Sequence, residues 1–383
     1  MRIVLFDEQH IWNNFKPITF NKPLSEVRIG ILTIAEKWKL HLECDVKYIC
    51  EDSIQKYFKK NITEEDNLFI NSAILPDAEL IKELLQLQEG QSLTKDGLLI
   101  AYRRKFGTLI QNYEASEYNS QLDCIRHIGD ILEHQKDEIV KDYHLITHGR
   151  HSQRIPDAYT TLYGKDIFIE EGASIKSAIL NAEEGPVYIG TNCKVEEGAI
   201  IKGPFGMLDN STVSMGAKIR NGVSIGPKCV IGGEVKNSIF HSFSNKAHDG
   251  YIGDSIIGSW CNFGAGTNCS NLKNNWNEVR IWNEETGQTD NTGRNKIGII
   301  MGDYSMCGIG TQFNTGTVIS LGCNVFNHQF PQKHIPAFSW GDGDVYRLEE
   351  LMNTIKHIKN SKQEILGENE KTLISELFNK LVD

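Results

Sequence analysis

No run of about 18 apolar residues occurs anywhere in the chain, so no helical membrane span is expected. A basic excess is missing as well: 40 Lys and Arg face 50 Asp and Glu, a formal charge of -10 at pH 7, which argues against a general nucleic-acid binder. The nine cysteines are odd in number and include no C-x-x-C pair. That usage fits reduced thiols in a cytoplasm rather than a disulfide framework. The N-terminus MRIVLFDEQH lacks the longer apolar core and small-residue cleavage site of a signal peptide and reads as a first strand.

What is present is the composition of an ordinary soluble globular protein, 383 residues long, 40% hydrophobic and 23% charged, with room for two domains. Residues 1–147 read as α/β. Ile3 to Phe6, Val46 to Cys50 and Asn67 to Ile70 are short apolar runs suited to buried strands. Between and after them, Ile31, Ile34, Ala35 and Trp38, and then Leu80, Ile81, Leu84 and Leu85 beyond Pro76-Asp77, fall at helical spacing. Strands alternating with helices favour a mainly parallel sheet. Residues 128–143 read as a helix leading out of this domain, and 148–158 have the polar composition of a linker.

From residue 159 to 340 aliphatic side chains recur every six positions, as Ile189, Val195 and Ile201, then Val213, Ile219, Ile225 and Ile231. Glycine often follows directly, as in Ile225-Gly226 and Ile257-Gly258. A hexapeptide period is the signature of a parallel β-helix, in which each short strand turns one apolar side chain inward and small residues allow tight corners. The pattern breaks at 203–210 and again at 272–295, and resumes with Ile300, Met306 and Val318. The second break is polar, carries Trp276 and Trp282, and reads as a protruding loop. Residues 341–383 form a helical tail, with stripes Leu348, Leu351, Ile355, Ile358 and Leu373, Ile374, Leu377, Phe378, Leu381. Its simplest role is to cover the last coil, subunit contact being the alternative.

Chemistry-bearing residues concentrate between Gly232 and Asn275. Glu234-Val235-Lys236, Lys246 with His248, Tyr251, the run Asn262 to Thr267 (NFGAGT) and Asn271 occur there in a fixed order and spacing. This set resembles, without gaps, the acetyltransferase half of the bifunctional N-acetylglucosamine-1-phosphate uridyltransferase/glucosamine-1-phosphate N-acetyltransferase family. The segments GPFGMLDNS, MGAKIR, SNKAHDG and SNLKNN are similar to an alternative bacterial branch of it. The resemblance implies an α/β nucleotidyltransferase-like domain, a left-handed parallel β-helix and a short α-helical C-terminal tail.

It further implies roles for individual residues. His248 would be the general base, since an imidazole can take the proton that a sugar amine loses as it attacks the thioester of acetyl-CoA. Lys236, Tyr251, Asn262 and Asn271 would bind the sugar phosphate, with Arg220 or Lys218 clamping the phosphate and Arg220 preferred on chemistry. Ala265 and Gly266 would lie against acyl-CoA, or simply make a tight corner. One position departs from the family: Ile309 stands where a serine hydroxyl is expected, and the 272–295 insertion is a candidate source of a replacement group.

In the first domain the family's glycine-rich phosphate loop is missing. The segment Pro23-Leu24-Ser25-Glu26-Val27-Arg28-Ile29-Gly30, followed by Glu36-Lys37-Trp38, resembles the alternative branch instead. Asp7, Arg28 and Lys37 are its nucleotide-binding candidates. No metal residue is assigned, because Asn71-Ser72 replaces the expected glycine-aspartate, and a neutral amide is a weak magnesium ligand. The expected activity is N-acetylation of glucosamine-1-phosphate by acetyl-CoA, fused to a sugar-1-phosphate nucleotidyltransferase that uses UTP and Mg2+ to make UDP-N-acetylglucosamine in the cytoplasm. A homotrimer is implied by the same resemblance. Two alternatives stay open: an acyltransferase for another amino sugar with an inactive first domain, and a non-catalytic sugar-nucleotide scaffold or sensor. A metal hydratase is disfavoured because His241 and His248 have no convincing third histidine.

Overall fold

The computed structural model describes residues 2–58, 66–105, 114–326 and 329–382. The chain forms two compact units: Met1–Phe15, Asn21–Val27 and Leu32–Asp130 make the first, and Lys16–Phe20, Arg28–Ile31 and Ile131–Asp383 the second.

The first unit is built on a six-stranded sheet in the order Val46–Ile49, Arg2–Phe6, Asp66–Asn71, Leu98–Lys105, Gln91–Lys95, Glu114–Glu117. The three strands foreseen as parallel are parallel. The sheet as a whole is mixed, because Leu98–Lys105 pairs antiparallel with both of its neighbours. Two-residue alternation is weak in those strands, which is why the hairpin escaped the apolar-run criterion. The helix Ile34–Leu42 begins at a capping box formed by Thr33 and Glu36, and Ala78–Gln86 begins at an Asp77 cap. These caps satisfy N–H groups that a first helical turn leaves unpaired.

The second unit contains a parallel β-helix whose coils stack strand on strand into three long sheets, followed by two helices. Ile189, Val195, Ile201, Val213, Ile219, Ile225 and Ile231 all point into one core and are essentially inaccessible. Met207 fills the inward position between Ile201 and Val213, so the period runs unbroken through 203–210, where the aliphatic pattern alone shows a gap. After the insertion the phase differs by one residue from expectation. Met301, Cys307, Phe313, Ile319 and Val325 face the core, rather than Ile300, Met306 and Val318. Ile300 and Val318 are buried too, on the outer face, which the insertion covers with the hairpin Arg280–Asn283/Gln288–Asn291. A strand apolar on both faces gives no phase to read.

Not every corner is made by small residues. Lys228, Phe243, Trp260, Tyr304 and Phe338 all have positive φ, from 59° to 66°. Bulky side chains disfavour that conformation, so packing must offset its cost. Phe243 stacks on Trp260 at 3.9 Å, and Tyr304 continues the stack at 6.4 Å. The tail helices Leu348–Ser361 and Glu368–Val382 lie over this ladder. Lys359 sits 4.6 Å above the Trp260 ring and pairs with Glu370 at 2.7 Å, while Phe378 packs on Phe338 at 5.0 Å. The tail thus covers late coils, as foreseen, and also runs back along the corner to Lys228 through Lys362.

Candidate active site

Two features of the β-helix position the residues singled out in the sequence. The first is register. Strands Lys218–Ile219, Glu234–Lys236 and Tyr251–Gly253 pair in parallel, so Lys218, Glu234 and Tyr251 form one outward row. Arg220, whose N–H bonds to Val235, and Lys236, paired with Gly253, follow two positions on along the same face. The second is the corner two residues beyond the inward position of each coil, which carries Met215, His248, Ala265 and Ile309.

Around the first row the structure brings together Arg220, Lys236, Tyr251 and Asn271. Gly253 has no side chain, and the Tyr251 hydroxyl occupies that space: a Cβ at Gly253 would stand 2.2 Å from the hydroxyl and 3.0 Å from Asn271 Nδ2. Asp254, which is buried, accepts from Asn237 Nδ2 at 2.8 Å and from Asn271 Nδ2. With its NH2 so held, Asn271 offers its carbonyl oxygen to a ligand. Burial, then Asp254 and Glu234, push the Tyr251 hydroxyl up to about 12, so it stays a neutral donor. Burial also lowers Lys236, against the pull of Asp254, and the cations Lys296, Arg220 and Lys136 lower it further. An anion placed among these cations relieves that repulsion. Arg220 Nη1 meanwhile contacts Glu234 at 3.2 Å on an exposed surface.

The remaining candidates are distributed around this group. His248 and Ala265 are exposed at the corner, Gly266 is half-buried beside them, and Lys218 is exposed at the start of the row. Asn262 lies on the third sheet, paired with Asn245 and Met306. Ile309 stands directly beyond Ala265 and is 83% exposed. The insertion does not bring a hydroxyl to that corner. Its hairpin packs along the second sheet, where Trp282 stacks on His334 at 4.4 Å and Glu284 pairs with the same histidine at 3.2 Å. The base of the insertion, with Ser270, Leu272, Lys273, Asn274, Asn275, Asn314 and Phe330, lines a cavity of about 470 Å³ next to Asn271.

Three residues near the site were not found in the sequence: Asp254, Lys296 and Lys136. Lys136 comes from the helix Ile128–Thr147, more than 80 positions away, and its stem lies over Gly222. No local pattern announces it. Lys246 was legible, because 240, 246 and 252 keep the six-residue spacing that marks inward positions.

The nucleotide-binding candidates are placed differently. Asp7, at the end of Arg2–Phe6, accepts from Leu24 N–H at 3.1 Å, and burial pushes its carboxyl up to about 7. It borders a cavity of about 180 Å³ with Gln9, Trp12, Cys50, Glu51 and Asp52. Lys37 is buried on the helix Ile34–Leu42. Arg28 belongs to the second unit, where it is buried, its backbone N–H donates to His241 Nε2 at 3.1 Å and its guanidinium reaches Ile31 O. A magnesium ion does not fit at Asn71. Its Oδ1 accepts from Ala73 N–H at 3.0 Å, and its Nδ2 donates to Glu8 at 2.7 Å and Leu99 O at 3.0 Å. Among the described residues, no three His, Cys, Asp or Glu side chains form a metal-binding group.

Residues 3–151 match the family model described as sugar nucleotidyl transferase. The chain is 28% identical over 291 residues to the bifunctional protein GlmU of Clostridium beijerinckii, covering 68% of this chain and 57% of that protein. It is 28% identical over 328 residues to the bifunctional protein GlmU of Methanocaldococcus jannaschii, covering 79% and 74%. A bifunctional sugar-1-phosphate nucleotidylyltransferase/acetyltransferase of Sulfurisphaera tokodaii is 32% identical over 161 residues, covering 41% of this chain and 37% of that protein. The chain thus spans a little over half of the clostridial relative, and its similarity to the M. jannaschii protein, over 79% of this chain, is long enough to reach both of its units.

Proposed function

We propose that the β-helix transfers an acetyl group from acetyl-CoA to the 2-amine of an amino-sugar phosphate, glucosamine-1-phosphate being the first candidate, with His248 as the general base. The observation that carries this reading is the convergence of Arg220, Lys236, Tyr251 and Asn271 on one face beside the corner that bears His248. The cations Arg220 and Lys236, with Lys296 and Lys136 around them, hold the phosphate. Tyr251 donates, and Asn271 accepts, at sugar hydroxyls. Lys218 and Asn262 flank the acceptor, and Ala265 and Gly266 give acyl-CoA a close approach to the backbone.

The amine nitrogen forms its bond to the thioester carbon as its proton passes to His248 Nε2 or Nδ1. Collapse of the tetrahedral intermediate breaks the carbon–sulfur bond, and the imidazolium returns the proton to the CoA thiolate. A base of this kind contributes about 10²–10⁴-fold. Burial of Lys37 and Arg28 makes acetyl transfer the activity that the geometry supports better. Nucleotidyl transfer from UTP rests on the relationship of residues 3–151 alone, and no step through Mg2+ follows from Asn71.

The test is CoA release, followed with a thiol reagent, from acetyl-CoA and glucosamine-1-phosphate. Wild type is expected to turn over and His248→Ala to lose at least about 100-fold in kcat. A wild type that releases no CoA, or a His248→Ala variant that matches it, sinks the assignment. Pyrophosphate release from UTP and the acetylated product, measured separately, tests the first unit.

A further inference from the structure

The corner that carries His248 breaks the hydrogen-bond rule of its neighbours. In the regular coils the residue three beyond the inward position donates its N–H to the residue two beyond it in the preceding coil. Gly198 donates to Ser177 O at 2.9 Å, Gly216 to Glu197 O at 3.0 Å and Gly310 to Ala265 O at 2.7 Å. The same rule requires Gly266 N–H to bond to His248 O. It bonds to Asp249 O instead, at 3.0 Å. Beneath this corner the chain is two residues short: Ile231 and Val235, both inward, are four apart where other coils have six. Glu234 N–H takes Gly250 O at 3.0 Å, and the turn from 247 to 250 is drawn over the shortened Gly232-Gly233 corner.

Lys246 meets both consequences. It pairs with Ile231 in the inward column otherwise held by Val213, Phe263, Cys307 and Val325, and is 2% exposed. Its Nζ donates to His248 O at 2.5 Å. It also fills the space over Gly233, where an added Cβ would lie 2.7 Å from Nζ and 2.9 Å from His248 O. A carbonyl left without its ladder partner is costly when buried, and a charge-assisted bond is the stronger replacement. We propose that Lys246 is a positioning residue that captures the carbonyl of His248 displaced from the ladder and so fixes the imidazole toward the acceptor amine. The proposal rests on the acyl-transfer reading only for its kinetic consequence.

The groups facing the ammonium are Asp249 on its own turn and the Cys307 thiol from the following coil, with burial opposing its charge. Lys246→Met removes the donor that holds the His248 carbonyl. In Lys246→Met the kcat for acetyl transfer is therefore expected to fall at least about tenfold with both KM values near wild type, a loss of about 1.4 kcal/mol in the transition state. Lys246→Gln keeps a neutral donor and is expected to recover part of kcat. Carbethoxylation of His248 by diethyl pyrocarbonate, read by peptide mass spectrometry against pH, tests the geometry independently of turnover. Its rate should differ from wild type in Lys246→Met. If acetyl transfer fails in wild type, that labelling still decides. Unchanged kcat and unchanged labelling in a folded Lys246→Met overturn the proposal. Should neither variant fold, wild-type His248 labelling should show a second inflection near pH 8, where Lys246 loses its proton, and a single inflection overturns it.

Discussion

Burial pushes the Asp7 carboxyl from the usual carboxylate range up to about 7, against the hydrogen bond from Leu24 N–H and the nearby Ser72 hydroxyl, which favour its charge. The folded chain therefore holds this proton more tightly than the unfolded chain. Between about pH 4 and pH 7 the native state binds more protons than the unfolded one, so stability falls as pH rises through that window and stays reduced above it. Asp7→Asn keeps an acceptor for Leu24 N–H and removes the charge. It is expected to raise the thermal midpoint by several degrees at pH 8 and leave it nearly unchanged at pH 4, where a scan at each pH checks the sign. An equal shift at both pH values would place the effect in packing instead. At the proposed acyl-transfer face, the expected result is kinetic. Lys236→Met removes one charge-assisted contact to the acceptor phosphate, so its KM should rise about 10- to 100-fold with kcat little changed, measured at saturating acetyl-CoA.

At the scale of elements, legibility followed periodicity. The coils from Ile189 to Ile231 were readable because one face of each strand is apolar and the other is not. The coils after 295 were read one residue out of phase, because Ile299, Ile300 and Met301 are all buried, the outward Ile300 as well as the inward pair. Candidate residues within the 232–275 stretch were legible for a different reason. Their spacing is set by coil length, which a motif carries intact. Lys136 and the covering helices were not, since their contacts cross long stretches of sequence. The tail illustrates this. Its amphipathic stripes were plain, yet its partner, the left-handed corner ladder of Phe243, Trp260 and Tyr304, shows only in three dimensions. Trp260 is the centre of that contact, stacked on Phe243 and beneath Lys359. Trp260→Ala is expected to cost about 3–5 kcal/mol in chemical denaturation and to speed proteolysis within 348–382. Unchanged proteolysis would mean that the tail is held elsewhere.

At the scale of the whole molecule, the corner row of the β-helix raises the question of assembly. Met215 is 71% exposed and Ile309 is 83% exposed on the row that also carries His248 and Ala265. Large apolar side chains on an exposed row at a proposed site suit burial against another surface. The homotrimer expected from the family resemblance, with acyl-CoA between neighbouring subunits, would place Ile309 where the acetyl carrier and the next subunit meet. That placement would give the isoleucine an apolar contact at a position where the family has a hydroxyl. Light scattering is expected to give about three times the chain mass of 43.2 kDa. Ile309→Asp places a charge on that surface, and burying it without a partner is unfavourable. The variant should shift toward monomer, with acetyl transfer falling in proportion and recovering at high protein concentration. A monomeric wild type with full CoA release, or an Ile309→Asp trimer with undiminished activity, would separate this row from the acyl-CoA site.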